Sequence, residues 1–313
     1  MTLRCSERLL NWSTQSSPPF SSFLVEPKST HRTEEAAERL SLINRDTAAR
    51  FSSTVASLEA VLDPEQINRL AESCVTIADS GWRSFETVNL LLEIAALTDH
   101  PSRLMEVMKA AEQLSGYSFE PAANYLQMVL GAVEVFHSKE VLELEQAGLA
   151  LHSKYQHASG LIGGYFSAAQ FVLARGDSDN LFCWVEVARG MFDLGRDDLL
   201  RFLVLSEQSV NVSWVMARRF QVKSIQGCLV YLDHVDRLND RFTGAQMTLV
   251  ESAMLKHVDA SLADLIDSFE LLHGFDPGEV SLILALGAGI EHANSLAAFN
   301  RNAGKLPLGR QNV

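Results

Sequence analysis

The sequence predicts an all-α protein, an α-solenoid-like array of antiparallel helical hairpins resembling a HEAT or tetratricopeptide superhelix. Three observations indicate this class. Helix-capping signals recur along the chain, and fifteen-residue segments return at a nearly constant interval. No run alternates apolar and polar residues over the length of a strand with turn signals at both ends.

The two ends of the chain differ in composition from the middle. Residues 13–33 are crowded with Ser, Thr and Pro and sustain neither helical nor strand periodicity. The last residues, NRNAGKLPLGRQNV, contain no acid. We therefore expect a flexible arm over residues 1–36, a helical-repeat domain over 37–297 and a mobile tail over 298–313.

Helix starts are legible in the middle of the chain. In LDPEQINRL, Asp63 is placed as an N-cap, Pro64 occupies the first helical position, and Gln66 can reach back to the cap. The segment FDPGEVSLI, which begins at Phe275, repeats this pattern, and Ser138 is placed to cap a further helix. These signals predict helices joined by short turns.

Four segments align when the turn that follows each of them is taken as the anchor. Their ends lie 35, 38 and 41 residues apart, an interval typical of helix–turn–helix repeats. Glycine stands at the last position in three of them and Lys154 in the third, and a glycine there predicts a left-handed residue. The segments are Ile67–Gly81, Ser102–Gly116, Glu140–Lys154 and Leu181–Gly195.

With the same anchor, two short segments of similar sequence, which we call the echoed segments, align with each other. SGWRSFE begins at Ser80 and SGYSFE at Ser115. The residue after the anchor is aromatic in three copies, and an arginine stands there in the fourth. Such side chains either bind a partner or pack between neighbouring hairpins, and their place at repeat junctions favours packing. The candidate partner-binding residues are Trp82, Tyr117, Tyr155 and Arg196.

Three glycines lie close together in GLIGGYF, which begins at Gly160. Their spacing does not match a dinucleotide-binding loop, and the segment follows a helix-like region. Small residues of this kind favour the close approach of two helices.

Charge and composition exclude several classes of partner. The formal net charge is −13, so we expect no nucleic-acid partner, because a phosphate backbone would be repelled. The longest apolar run, VSLILALGAGI, is shorter than the roughly 18 residues that span a bilayer, and we expect no membrane contact. The 4 cysteines form no C-x-x-C pair, which indicates reduced thiols in a cytoplasmic protein.

Two Glu-x-x-His motifs open an alternative, a ferritin-like di-iron oxidoreductase. Carboxylate-bridged di-iron bundles use two such motifs with further carboxylates, here Glu106 and Asp233. However, both histidines precede turn residues and therefore stand at helix ends. A cation there interacts favourably with the negative end of the helix dipole, and this interpretation of the histidines is favoured over metal binding. The main prediction is therefore no catalytic residue, metal or cofactor. The four motif residues are Glu134, His137, Glu270 and His273.

One family resemblance adds to this interpretation. Residues 60–215 resemble the helical region of NorD- and CbbO-type accessory proteins. The segments that show the resemblance are CWVEVARGMFDLGRDDLLRFLVLS (residues 183–206), LLLEIAALTDHPSRLMEVMKAAEQLSG and FSAAQFVLARGDSDN. In that family the region accompanies a von Willebrand A domain and cooperates with a MoxR-type AAA+ ATPase to activate a metalloenzyme. The chain lacks the metal site of that domain, because DASLA, from Asp259, has no final serine. The resemblance implies a non-catalytic adaptor, an accessory factor in metalloenzyme activation or remodelling, whose partner is another protein, a AAA+ ATPase or its client.

Overall fold

Helices are the regular elements of the computed structural model, and no strand occurs in the residues that it describes. The all-α prediction is therefore confirmed. The described residues are 29–81, 83–116, 118–135, 138–174, 178–208, 228–229, 232–233, 235, 237–238, 241–257, 262–272 and 275–305.

The helices are short and closely spaced along the chain. The first ten are α1 Ser29–Ile43, α2 Arg45–Leu58, α3 Pro64–Ala78, α4 Ser84–Leu97, α5 Pro101–Ser115, α6 Phe119–Gly131, α7 Lys139–Lys154, α8 Ser159–Leu173, α9 Ser178–Leu194 and α10 Arg196–Gln208. After them come α11 Gly244–Lys256, α12 Leu262–Glu270, α13 Pro277–Gly287 and α14 Ala293–Ala303. A single 3₁₀ turn, Val133–Val135, follows α6. None of the helices in the described ranges has the length and hydrophobicity needed to cross a bilayer.

Helix α3 begins with the capping box that the sequence predicts. The amide of Gln66 donates to the Asp63 carboxylate over 2.9 Å, and the amide of Asp63 donates to the Gln66 side chain over 3.1 Å. Ser138 caps α7 by accepting from the amide of Val141. At α13, Asp276 accepts from Gly278, and the reciprocal bond of a capping box is not formed. Local sequence therefore sets these helix starts.

The four predicted repeat segments coincide with α3, α5, α7 and α9. Each of these helices packs on the even-numbered helix that follows it, and also on its odd-numbered neighbour two places along the chain. The even helices α2 to α10 pack on one another in the same way. The result is two parallel layers of helices, built from stacked hairpins. The superhelical curvature of this stack stays a prediction.

The array extends further than the predicted 37–297 at both ends. It begins at Ser29 in α1 and reaches Ala303 in α14, and one hydrophobic cluster runs from Ala36 to Ala303. The outer face of α1 is charged, with Glu34 and Glu38 exposed. Helix α1 thus packs on α2 and α3 with one face and presents charged side chains on another.

The echoed segments mark the two turns that enter α4 and α6. The hydroxyl of Ser84, the first residue of α4, donates a hydrogen bond to the carbonyl of Ala78 over 2.6 Å. The equivalent Ser118 instead caps α6 by accepting from the amide of Glu120. Each serine therefore fixes the start of the second helix of its hairpin, by a different bond.

The sequence predicts a left-handed glycine at three helix ends, and this prediction is wrong at Gly116 and Gly195. Gly116 has a φ of −59°, which continues the helical conformation, and Gly195 does not take a positive φ. Gly81 has a φ of 159°, far from the value of about +57° of a left-handed residue. Since the next helix begins within a few residues, the chain turns without the left-handed closing residue.

Close helix approach is confirmed for one of the three glycines in GLIGGYF. A Cβ on Gly163 would lie 3.2 Å from the Asn124 amide nitrogen and 3.3 Å from Glu120 Cγ, so α8 lies directly against α6. A Cβ on Gly160 or Gly164 would meet nothing within 4 Å. These two glycines are not needed for the contact.

Gly148 in α7 makes a tighter approach that the sequence did not reveal. A Cβ at this position would lie 2.4 Å from Phe166 Cζ and 3.0 Å from Tyr165 Cε1. The Phe166 ring is fully buried and packs edge-on against Tyr125, with ring centroids 5.2 Å apart. The ring therefore has no free space into which it could retreat.

We expect Gly148→Ala to lower the free energy of unfolding by about 1–3 kcal/mol, because the added methyl group overpacks the α7–α8 contact. Alanine in place of glycine inside a helix usually raises the free energy of unfolding by about 1 kcal/mol, so the change expected here has the opposite sign. Urea unfolding followed by far-ultraviolet circular dichroism measures the change. Gly164→Ala in α8 is the matched control and should be neutral or stabilising, because its Cβ would enter open space. Equal effects of the two substitutions would contradict the prediction.

Candidate functional site: the α1–α3 groove

Two adjoining clefts form a groove along α1 and α3, which we call the α1–α3 groove. The larger cleft has a volume of about 710 Å³ and the smaller about 260 Å³, and both include Arg32 and Glu72 in their walls. The larger is lined by Arg32, Asp63, Glu65, Gln66, Asn68, Arg69, Glu72 and Met105. The smaller is lined by Arg32, Glu35, Ala36, Arg39, Ala71, Glu72 and Val75. The groove therefore extends from α1 across α3 to α5.

Helical periodicity places these side chains on one surface. On α1, Arg32, Glu35 and Arg39 follow the i, i+3, i+7 spacing of a single helix face. The floor is formed by small or apolar side chains, of which Ala36 and Ala71 are almost fully buried. Because alanine fills little space between α1 and α3, a depression remains where larger residues would close the surface.

The arginines that line the groove are held by ion pairs. Arg32 pairs with Glu72, and Arg39 pairs with Asp79 over 2.7 Å. Arg69 pairs with Glu112, which also accepts a hydrogen bond from the Ser73 hydroxyl. These bonds cross from one odd helix to the next, and therefore fix the walls of the groove as well as its charge.

No protein-family model, curated protein or solved structure matches this chain. The groove is therefore interpreted from its own geometry.

Helix α3, which lines both clefts of the groove, contains one cysteine. This residue, Cys74, is fully buried, and burial, with the charge of Glu112 as a smaller cause, raises the pKa of its thiol far above the usual value. A buried neutral thiol is unreactive. Across the described ranges, no group of three or more His, Cys, Asp or Glu side chains could hold a metal ion.

The four carboxylates that a di-iron site would use are either exposed or paired with arginines in this structure. Glu134 lies in the 3₁₀ turn after α6 and is exposed. Glu270 ends α12 and faces Arg237 and Arg241, with nitrogen–oxygen distances of 3.5 and 3.6 Å. Glu106 pairs with Arg103, and Asp233 pairs with Arg201. His137 and His273 lie outside the described residues, so the alternative stays a prediction.

Of the four predicted partner-binding residues, Tyr155 has an internal role. Its hydroxyl donates to the Phe192 carbonyl over 3.0 Å, and Lys154 Nζ donates to the same carbonyl over 2.8 Å. Phe192 lies in the last turn of α9, where carbonyls have no partner within the helix. Tyr155 therefore packs between hairpins, as the sequence favoured. Arg196 is exposed at the start of α10, and Trp82 and Tyr117 lie outside the described residues.

Ion pairs between neighbouring repeats recur along the array, and sequence reasoning missed them. In six of these pairs the partners are separated by 40 to 46 residues, close to one repeat. A search for opposite charges one repeat apart would have found this signal. Most of the pairs are solvent-exposed and contribute about 0–1 kcal/mol each, so they position helices more than they stabilise them. The six pairs are Arg32–Glu72, Arg39–Asp79, Arg50–Glu93, Arg69–Glu112, Arg103–Glu145 and Glu143–Arg189.

The Arg103–Glu145 pair differs from the others because it is buried. The two side chains are 7% and 8% exposed and are joined by two hydrogen bonds between α5 and α7. Burial opposes the charge of Arg103, but the hydrogen bond and charge of Glu145 outweigh it and raise the pKa of the guanidinium. The neighbouring Tyr125 hydroxyl is fully buried, and this burial, reinforced by Glu145, raises its pKa well above the usual value. The cluster joins two repeats and lines neither cleft of the groove.

Proposed function

We propose that this chain is a non-catalytic adaptor that binds a segment of another protein in the α1–α3 groove. The observation that carries the proposal is the groove itself, which crosses three successive odd helices and has walls fixed by ion pairs. Stacked hairpins provide extended binding surfaces of this kind without a buried reactive centre. Its larger cleft, about 710 Å³, is within the size range of ligand sites.

The class of partner is proposed from the family resemblance. An accessory factor of the NorD and CbbO type would bind a AAA+ ATPase or the metalloenzyme that the ATPase remodels. We place the protein in the cytoplasm, where thiols stay reduced. The three cysteines in the described part of the chain, Cys74, Cys183 and Cys228, are free and buried, which is compatible with that compartment.

A charge placed on the floor of the groove tests the proposal. Met105 is partly buried and lines the larger cleft. We expect Met105→Arg to abolish partner capture by the tagged full-length chain, because the guanidinium would occupy the cleft and oppose an apolar contact. Affinity capture from native lysate, with quantitative mass spectrometry, measures the loss.

Leu97→Arg is the matched control. Leu97 is an exposed apolar residue at the end of α4 and does not line the groove, so the variant has the same added charge elsewhere. It should capture the partner as well as the unmodified chain does. Circular dichroism checks that both variants are folded. Equal capture by Met105→Arg and the unmodified chain would refute a binding role for the groove.

A further inference from the structure

The charge that remains available in the α1–α3 groove is negative. All three arginines in its walls are paired with carboxylates of this chain, and the Asp63 carboxylate accepts the amide hydrogen of Gln66. Glu35 and Glu65 line the groove and have no cationic partner among the described residues. Each is exposed, so it can bind an incoming cation without first losing an internal bond.

Each cleft of the groove contains one of these two carboxylates and one partly buried apolar side chain. Val75 and Met105 are partly buried side chains that line the smaller and the larger cleft, and both pack against the hydrophobic core. An aliphatic side chain placed against either of them would remove apolar surface from water, which favours binding. Each cleft thus offers an apolar contact in the same cleft as a negative charge.

We infer that the segment bound in the groove carries lysine or arginine residues close to an aliphatic residue. This inference rests on the proposed function and adds the chemistry of the partner to it. Glu35 on α1 and Glu65 on α3 would bind the cationic side chains, and Met105 would contact the aliphatic residue. The net charge of −13 attracts such a segment from a distance and repels phosphate-bearing ligands.

Two labelled peptides test the chemistry on the full chain. One is the basic peptide GKRLKRG, and the other is its charge-inverted counterpart GEDLEDG. We expect the basic peptide to bind with a dissociation constant on the order of 100 μM, as judged by fluorescence anisotropy, and to weaken as salt screens the charges. The inverted peptide should not bind.

Charge reversal locates the binding. The double variant Glu35→Lys with Glu65→Lys should weaken the basic peptide by about tenfold or more, because it replaces two attractions by two repulsions. Glu59→Lys with Glu291→Lys changes the net charge equally at exposed positions outside the groove, and should change affinity by about twofold or less.

Several outcomes would overturn the inference. Equal weakening in the two double variants would mean that the peptide responds only to the overall charge. Absence of binding by the basic peptide would also reject it. If GEDLEDG or an uncharged GSALSAG binds and Met105→Arg removes that binding, the inference fails while the proposed function stands. If Met105→Arg leaves partner capture unchanged, the proposed function fails by its own test.

Discussion

Replacing Arg103 by Met should lower the free energy of unfolding by about 3–5 kcal/mol, the largest effect that we expect from a charged residue of this chain. The substitution keeps an apolar side chain of similar length but removes both hydrogen bonds to Glu145. The Glu145 carboxylate, only 8% exposed, is then left between α5 and α7 without its guanidinium. An unpaired buried charge costs more than the pair itself contributes. Urea unfolding followed by circular dichroism measures the loss.

The double variant Arg103→Met with Glu145→Leu separates the two causes. Because it leaves no buried charge, it should recover most of the lost stability. A matched surface pair provides the control: Arg50→Met removes the exposed ion pair with Glu93 and should cost about 1 kcal/mol or less. If Arg103→Met and Arg50→Met have the same effect, burial of the first pair is not the determining factor.

Replacing Trp184 by Ala should lower the free energy of unfolding by about 3–5 kcal/mol. The indole is fully buried in α9, with its ring centroid 5.4 Å from that of Tyr165 and 5.6 Å from that of Phe202. It therefore joins α8, α9 and α10, and its removal leaves a cavity between all three. The loss is expected in urea unfolding, and amide hydrogen exchange should locate it in these helices.

Trp184→Phe is the control for the prediction at this site. It keeps an aromatic ring between Tyr165 and Phe202, but loses the hydrogen bond from Nε1 to the Ser206 hydroxyl, which is 3.0 Å long. Ser206 still donates to the Phe202 carbonyl. We expect a smaller loss, about 1–2 kcal/mol. A loss as large as that of Trp184→Ala would show that the hydrogen bond, and not the ring packing, dominates.

The parts of the fold set by neighbouring residues could be predicted from the sequence. Asp63 and Gln66 lie three residues apart, so their capping box needs no information from the rest of the chain. The repeat interval identified α3, α5, α7 and α9 because each hairpin must cover the apolar face of the next. The glycine turns were predicted wrongly, since a residue type alone does not fix φ when the next helix begins at once.

The site could not be predicted, because it depends on residues one repeat apart. Ala36 and Ala71 are unremarkable in the sequence, and only their meeting between α1 and α3 leaves a groove. The sequence likewise presents Arg103 and Glu145 as ordinary surface charges, although both are buried where α5 meets α7. The sequence instead pointed to the aromatic residues after the repeat anchor. One of them, Tyr155, donates a hydrogen bond to the next hairpin.

The packing of each helix on its second neighbour separates the number of hairpins in the stack from the geometry of the α1–α3 groove. The groove is lined by α1, α3 and α5 and the residue that caps α3, whereas the packing of α7 on α9 and of α8 on α10 repeats the same joint without lining the groove. Whole hairpins added or removed in that later part would leave the three groove helices in place. Evolution can thus change the number of hairpins while the α1–α3 groove is inherited intact.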